Sequence, residues 1–166
     1  MCIRDRYFFK TREEFEQMIV EDKLLEHAQY VDNYYGTPRD YVEHKLEDGF
    51  DVILEIEIQG ALKIREKFPD TVLMFLMPPT ADELKKRLEG RGTEDEATIK
   101  KRLLRAVEES QGVEEYDYIV INDVLDDCVE QIHEIIGNEH CKASNNLEKI
   151  NQFRDELTNM WKGDIR

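Results

Sequence analysis

The stretch DVILEIEIQGALKIREKF at residues 51–68, followed by TVLMFLMPP at 71–79, decides the fold class. Asp51–Ile58 begins apolar on both faces, as a strand inside a parallel sheet must be, and Ala61–Phe68 then predicts a helix. Thr71–Met77 predicts a second apolar strand, closed by two prolines. Apolar strands that alternate with helices predict an α/β fold, with a parallel sheet covered by helices on both faces.

The same reading extends to both sides of this stretch. Before it we expect a strand at Tyr7–Lys10 and then a helix opened by a capping box of Thr11 and Glu14. Two extended pieces follow, at Leu24–Tyr30 and Asn33–Thr37. Thr37 is expected to cap the next helix, which stops at Gly49. After it we expect helices opened by Thr80 with Glu83 and by Thr93 with Glu96, a strand at Tyr118–Ile121, a helix at about Leu125–Glu139, and an amphipathic tail helix that packs against the domain.

Composition narrows the classes of function. The 166 residues carry a formal charge of -15, which disfavours a broad surface for nucleic-acid polymers. The longest apolar run, Val72–Met77, is far shorter than the ~20 residues that span a bilayer, so no membrane partner is expected. Cys2, Cys128 and Cys141 show no metal or disulfide spacing, which predicts a reducing, cytoplasmic setting.

Polar residues lie at or just after the carboxyl ends of two predicted strands, where ligands bind in open parallel sheets. Glu55 and Glu57 are two residues apart and therefore point to one side, where they can hold hydrated Mg²⁺ or accept hydrogen bonds from a base. The alternative is that both are simply solvated. Asn122 and Asp123 follow Tyr118–Ile121 in the same position, and helix capping is their alternative.

A basic cluster is predicted on two consecutive helices. Arg87 and Arg91 are four residues apart and share a helix face, and glycines flank Arg91. Arg102 lies on the next helix. Three arginines from two such helices suit a lid that closes on phosphoryl groups, because guanidinium groups bind phosphate in a bidentate way. For Arg87, an ordinary surface ion pair with Glu83 is the alternative.

A third cluster suits a purine base. A buried Glu26 offers two parallel acceptors, which match the N1–H and 2-amino donors of guanine, whereas adenine presents an acceptor at N1. The Thr37 hydroxyl can complete the recognition at O6, and Tyr7 and Tyr35 can donate phenolic hydrogen bonds to a phosphate. Edge-strand packing of the tyrosines and helix capping by Thr37 are the alternatives.

Six stretches, in this order and spacing, resemble bacterial guanylate kinases: YFF, LLEHAQYVDNYYGTP, DVILEIEIQGA, FPDTVLMFLMPP, RLEGRGTEDEATIKKRL and EYDYIVIND. The resemblance runs from Tyr7 to about Glu139. It implies a P-loop nucleoside-monophosphate-kinase fold with a core, a GMP-binding part and a mobile lid. It also implies transfer of the γ-phosphoryl group of ATP to GMP, giving ADP and GDP, with Mg²⁺ accompanying ATP.

The resemblance implies a role for each matched polar position. For GMP, it implies Glu26 and Thr37 at the guanine, Glu57 beside the base, and Tyr7 and Tyr35 at the phosphate. For ATP and the transferring phosphoryl group, it implies Arg87, Arg91 and Arg102, with Asn122 near the adenine and Glu55 near the metal. Glu57 departs from the family, which usually has Asp there. The extra methylene keeps the charge but changes the reach.

The resemblance also implies a division of the chain. The predicted parts are the remainder of a GMP-binding domain at 7–38, core segments at 39–79 and 111–140, a lid at 80–110, and a C-terminal amphipathic helix at 141–166. Residues 1–6, MCIRDR, match nothing in the family and are interpreted as a non-native leader.

The phosphate-binding loop of the family, of the form GxxGxGK[ST], belongs upstream of YFF, and no such pattern occurs in the 166 residues. That loop supplies the backbone N–H cradle, the lysine and the Mg²⁺-binding hydroxyl. The first strand, a serine and two arginines for GMP are missing with it. We therefore expect a guanylate kinase fragment that has little or no activity and folds poorly alone.

Two other functions stay open. A non-catalytic guanylate-kinase-like module that binds a phosphorylated protein partner has no use for an ATP-closing lid, so the lid arginines argue against it. A kinase for another nucleotide has no use for Glu26 as a guanine reader. The expected partners are therefore GMP and ATP.

Overall fold

The structure, a computed structural model, describes residues 8–30, 33–90 and 95–163. Its elements are α1 (Arg12–Val20), β1 (Leu24–Tyr30), β2 (Asn33–Pro38), α2 (Arg39–Glu47), α3 (Ile58–Lys67), β3 (Met74–Met77), α4 (Ala81–Gly90), α5 (Glu96–Ser110), β4 (Tyr118–Ile121), α6 (Leu125–His140) and α7 (Leu147–Gly163). The chain divides into two units, the first comprising residues up to Leu73 with Leu104–Asp117, the second Met74–Leu103 with the residues from Tyr118 onward.

The first unit is built on an antiparallel hairpin of β1 and β2, preceded by α1. The predicted capping box opens α1, since the Glu14 N–H donates to Thr11 Oγ1 at 3.2 Å and the Thr11 N–H donates to Glu14 Oε2 at 2.9 Å. Two backbone donors that the helix cannot satisfy internally are thereby paired. The prediction of α1 and its start is confirmed.

The hairpin contains an irregularity that sequence periodicity did not predict. Leu24 lies opposite Pro38 and Glu26 lies opposite Thr37, so Leu25 is one extra residue in β1, as in a β-bulge. Leu24, Leu25 and Glu26 are consequently all buried, although a regular strand would turn them alternately to opposite faces.

The start of α2 corrects one prediction. Thr37 does not cap this helix: it is still part of β2, and the N-cap residue is Pro38, which provides no side-chain cap. The predicted stop is confirmed, because α2 ends at Glu47 and Gly49 adopts a left-handed φ of 81°. Glycine accepts this conformation without the steric cost that a Cβ would impose.

Residues 51–57 form no strand, contrary to the prediction. Their burial nevertheless alternates, with Val52, Leu54 and Ile56 packed on a core of Leu25, Val42 and Ile64. The segment is therefore extended and buried on one side, but it has no hydrogen-bonded neighbour strand among the described residues. Sequence periodicity reports burial, whereas a strand also requires a pairing partner.

Asp117 ties the two pieces of the first unit together. Its Oδ2 accepts a hydrogen bond from the Leu73 N–H at 2.8 Å and pairs with the Arg65 guanidinium. The Asp117 N–H donates in turn to the Leu73 carbonyl at 2.9 Å. Since these bonds join residues 44 and 52 positions apart, they anchor the chain segment that follows α5.

The second unit contains the parallel pair β3 and β4, with Met74 opposite Tyr118 and Met77 opposite Ile121. Val120 is fully buried and packs with Cys128 and Ile135 of α6. The parallel pairing and the helix after β4 are confirmed. Strand β3 is shorter than the predicted Thr71–Met77, because the paired residues begin only at Met74.

The two helices that follow β3 are capped at their starts by side chains, as predicted, but the hydrogen bonds differ from the predicted ones. At α4, Thr80 Oγ1 accepts from the Glu83 N–H at 3.1 Å, but the Glu83 carboxylate pairs with Arg87, so only half of the box forms. At α5, Asp95 Oδ1 accepts from the Thr98 N–H at 2.8 Å. Asp95 therefore caps α5, while the predicted cap, Thr93, lies outside the described residues.

Both ends of the described chain depart from expectation. Phe8–Lys10 form no strand, and Phe8 instead meets the Tyr41 ring edge-on at 5.8 Å. Tyr7 and the predicted leader lie outside the described residues. The tail helix α7 is confirmed as a helix, but its predicted packing is wrong, since its apolar Phe153, Leu157 and Trp161 are all at least half exposed.

None of the helices that the structure describes has both the length and the apolarity needed to cross a bilayer.

Glu139 generates a test of stability against pH. This carboxylate is buried, accepts a hydrogen bond from the Tyr118 hydroxyl and forms an ion pair with Lys142 at 2.7 Å. The Lys142 ammonium first, and the Tyr118 hydroxyl second, hold the pKa of Glu139 below its ordinary value. A depressed pKa stabilises the fold above the unfolded-state pKa, and this contribution disappears as the pH falls through the folded-state pKa.

We therefore expect Glu139→Gln to lower the free energy of unfolding by about 1 kcal/mol near neutral pH. The difference from the wild type should shrink as the pH falls through the depressed folded-state pKa of Glu139, because the wild-type carboxyl then takes up a proton too. Urea unfolding at a series of pH values from neutral into the acidic range measures this. Glu134→Gln, an exposed carboxylate on the same helix, is the control; a Glu139→Gln deficit that does not change with pH would contradict the interpretation.

Candidate functional site

Glu26 and Thr37 form the centre of the candidate site. They lie opposite each other in β1 and β2, and Thr37 Oγ1 donates to Glu26 Oε1 at 2.8 Å. Glu26 is only 9% exposed, so its carboxylate is withdrawn from water and held by a neighbouring hydroxyl. The structure thus brings together the two residues predicted to read guanine. The alternative for Thr37, helix capping, is wrong.

Gly60 borders the second oxygen of the same carboxylate. A Cβ at this position would lie 3.3 Å from Glu26 Oε2, so the missing side chain leaves room beside that oxygen. Gly60 belongs to the first turn of α3, and Glu57 is the N-cap residue of that helix. Sequence reasoning missed Gly60, because a glycine in a sequence does not reveal which distant group lies opposite it.

The two adjacent tyrosines of β2 differ in their surroundings. Tyr34 stacks on Phe15, with ring centroids 5.3 Å apart, and the Arg12 guanidinium lies over its ring at 5.3 Å. Tyr35 is 48% exposed and its side chain is available to a ligand. Tyr34 is therefore a packing residue, whereas Tyr35, for which packing was the alternative, is exposed, and its phosphate contact stays a prediction. Tyr7 lies outside the described residues.

Glu57 is engaged by a residue that sequence reasoning missed. Its Oε2 pairs with Nη2 of Arg105, and Arg105 Nε also donates to Glu109 Oε1 at 3.1 Å. Partial burial by itself would lower the pKa of Arg105, but the Glu109 hydrogen bond and the negative charges of Glu57 and Glu109 outweigh it and raise that pKa. Only the Arg105–Glu109 spacing of four was visible in the sequence.

Glu55 lies two residues before Glu57 in the extended segment 51–57, and both side chains are exposed. Across residues 8–30, 33–90 and 95–163, no group of three carboxylate, histidine or cysteine side chains is arranged to hold a metal ion. Glu55 can therefore contribute one carboxylate to an ion that brings most of its own ligands, and it does not form a protein metal site by itself.

In the second unit, Arg87 contacts Asn122. Arg87 Nη1 donates to the Asn122 carbonyl at 2.7 Å, while its Nε donates to Glu83 Oε1 at 2.8 Å. The predicted ion pair with Glu83 thus forms, and the same guanidinium also meets the residue predicted to lie near adenine. The capping alternative for Asn122 and Asp123 is wrong, since the N-cap residue of α6 is Val124.

The other two arginines predicted for the lid are only partly described. Arg102 is half-buried on α5, three residues before Arg105. Arg91 lies outside the described residues. The convergence of three arginines on one phosphoryl group therefore stays a prediction, as do the proposed domain boundaries.

Comparisons with known proteins point to one family. The sequence model of the family described as "Guanylate kinase" matches residues 4–139. The guanylate kinase of Halalkalibacterium halodurans is 53% identical over 147 residues, which cover 89% of this chain and 72% of the relative. The guanylate kinase of Oceanobacillus iheyensis is 54% identical over 136 residues, which cover 82% of this chain and 66% of the relative.

A solved structure supports the same assignment. The crystal structure of guanylate kinase from Anaplasma phagocytophilum superposes with a TM-score of 0.71 and 30% identity, covering 89% of this chain and 73% of that chain. This similarity confirms the predicted α/β nucleoside-monophosphate-kinase fold. The chain belongs to the guanylate kinase family, whose reaction is the transfer of a phosphoryl group from ATP to GMP.

Proposed function

We propose that this chain binds GMP in the cytoplasm and contributes the GMP-binding and lid residues to its phosphorylation by ATP. The observation that carries the proposal is the buried Glu26 carboxylate, hydrogen-bonded by Thr37 and bordered by a glycine. A buried carboxylate without a cationic partner is costly unless its hydrogen bonds are satisfied. A base that brings its own N–H donors satisfies them.

Guanine fits this carboxylate by the pattern of its donors. Its N1–H and 2-amino groups are parallel donors and match the two oxygens of one carboxylate. Adenine has an acceptor at N1, which would face a carboxylate oxygen and repel it. A site built to accept hydrogen bonds discriminates strongly against a ligand that cannot donate them.

The Thr37 hydroxyl has one proton, which it donates to Glu26 Oε1. A hydrogen bond from Thr37 to guanine O6 would therefore require the hydroxyl to turn away from Glu26 when GMP binds. The bond observed supports a different first role, in which Thr37 orients the Glu26 carboxylate before the ligand arrives. At the other end of GMP, the phenolic hydroxyls of Tyr35 and Tyr7 would donate to the phosphate.

On the ATP side, we assign Arg87, Arg91 and Arg102 to the phosphoryl groups and Asn122 to the adenine. Arg87 supports this assignment because two of its donors already reach Asn122 and Glu83, which leaves its guanidinium oriented rather than freely mobile. A positioned guanidinium stabilises the charge that develops on a transferring phosphoryl group.

Mg²⁺ would enter this reaction bound to ATP. Magnesium in kinases is held by one or two carboxylates together with substrate phosphates and waters. The single exposed carboxylate of Glu55 fits such a contributing role and no larger one. The ion would neutralise phosphate charge when bound.

The catalytic part of the proposal is tested by a kinase assay. We expect the 166-residue chain to form GDP from ATP and GMP at a rate at least about a thousandfold below that of an intact family member, because its sequence contains no GxxGxGK[ST] loop. A coupled assay for ADP, with chromatographic detection of GDP, measures this. Robust ATP-dependent GDP formation by this chain would overturn the expectation while leaving the GMP site standing.

The GMP site is tested by Glu26→Gln. The amide keeps the shape of the side chain but turns one acceptor into a donor that faces the guanine donors, so we expect GMP affinity to fall about 10- to 100-fold. Isothermal titration calorimetry with GMP measures this, with AMP as the ligand that should not bind. Glu13→Gln, an exposed change of the same charge on α1, should leave affinity unchanged, and equal GMP affinity in Glu26→Gln would refute the site.

Gly60 offers an independent test. Gly60→Ala places a methyl group 3.3 Å from Glu26 Oε2, so we expect GMP affinity to fall about threefold to tenfold. Gly137→Ala is the matched control, since this glycine also lies within a helix and has no atom within 4 Å of the new Cβ. The control should raise the free energy of unfolding by up to about 1 kcal/mol and leave GMP affinity unchanged. Equal affinities of the two variants would place Gly60 outside the site.

A further inference from the structure

We propose that Arg105 is a positioning residue for GMP recognition, which acts by holding the Glu57 carboxylate in place beside the guanine. The inference rests on the proposed function, because it takes Glu57 to lie next to the base. It adds an arginine that has no counterpart among the residues predicted from the sequence.

The Glu57 side chain needs such a contact to hold its carboxylate in one orientation toward the base. It is exposed, and no side-chain hydrogen bond to the start of α3 holds it, although Glu57 is the N-cap residue of that helix. A free glutamate has three rotatable side-chain bonds, so its carboxylate has no fixed position without a contact. The ion pair of its Oε2 with Arg105 Nη2 removes much of that freedom before a ligand binds.

Arg105 is itself held in position from its own helix. Glu109, one turn further along α5, accepts from Arg105 Nε at 3.1 Å. The guanidinium thus bridges two carboxylates, with the Nε edge turned to Glu109 and Nη2 turned to Glu57. A planar guanidinium with fixed donor directions suits this bridge better than a lysine ammonium does.

A second contact joins the same two parts of the first unit. A Cβ at Gly112 would lie 2.6 Å from Ile58 Cδ1, so the backbone just after α5 lies directly against the residue that follows Glu57. The ion pair therefore forms between segments that are already packed together. An ion pair between packed segments loses less side-chain entropy when it forms than an isolated surface ion pair does, and the isolated pair contributes little to stability.

The charge of Arg105 matters as well as its geometry. The chain has a formal charge of -15, and GMP brings a further anionic group. Arg105 balances the Glu57 carboxylate, so the base meets an acceptor whose charge is locally compensated. Without Arg105, Glu57 would turn toward water and leave the position in which it can meet the base.

A double-mutant cycle with GMP titration calorimetry on the 166-residue chain tests this inference. The variants are Arg105→Gln, Glu57→Gln and the double variant. We expect Arg105→Gln to weaken GMP binding about threefold to tenfold, and to have no further effect in the Glu57→Gln background. Arg105→Lys should recover part of the affinity, because an ammonium keeps the charge but not the fork geometry.

Lys101→Gln is the matched control, since it removes the same charge from an exposed position of the same helix and should leave GMP affinity unchanged. Urea unfolding of each variant checks that the fold is intact. Equal losses from Arg105→Gln in both backgrounds would mean that Arg105 acts through the fold and not through Glu57, which overturns the inference.

The remaining outcomes separate this inference from the proposed function. A chain that binds GMP, loses affinity in Glu26→Gln and is insensitive to Arg105→Gln retains the GMP site and rejects the role of Arg105. A wild-type chain that unfolds cooperatively in urea and still does not bind GMP rejects the proposed site, and the role of Arg105 falls with it.

Discussion

The register of β1 against β2 is the constraint on which the proposed site depends. Glu26 meets Thr37 because the hairpin keeps one unbroken register from the pair Tyr30 and Asn33 up to this pair. Since side chains alternate across a strand, a register slipped by one residue would turn Glu26 to the opposite face. The register shifts only beyond Glu26, where the extra residue Leu25 lets Leu24 and Leu25 both enter the apolar interior. The regular pairing thus sets the carboxylate opposite a hydroxyl, and the irregularity beside it allows the packing of the two leucines.

Features that depend on neighbouring residues could be predicted from the sequence. The capping box of Thr11 and Glu14, the stop of α2 at Gly49 and the helical character of the tail all follow from residues within one or two turns. The parallel pair β3 and β4 was also predictable, because both strands are apolar on two faces. In these places local chemistry leaves few alternatives, and the chain follows it.

Features that depend on distant residues could not be predicted in the same way. Residues 51–57 have the burial of a strand but no partner in the described chain, and pairing is a property of two segments. The Glu57–Arg105 pair joins positions 48 residues apart, and Asp117 joins Leu73 across 44. The predicted helix-capping role of Thr37 failed for the same reason, since Thr37 stays in β2, paired with Glu26 of the other strand, and Pro38 is the N-cap residue of α2. Local patterns describe what a side chain can do, and tertiary contacts decide which of these it does.

The acidic composition of the chain makes these tertiary contacts important for an anionic ligand. A molecule with a formal charge of -15 repels a nucleotide at long range, so affinity must come from short-range contacts in which charge is locally balanced. Both carboxylates assigned to the base have a donor beside them, Thr37 for Glu26 and Arg105 for Glu57. In the proposed site each carboxylate is therefore already oriented when GMP arrives, and the base displaces only water. Recognition of guanine would then depend on two pre-oriented acceptors rather than on the net charge of the protein.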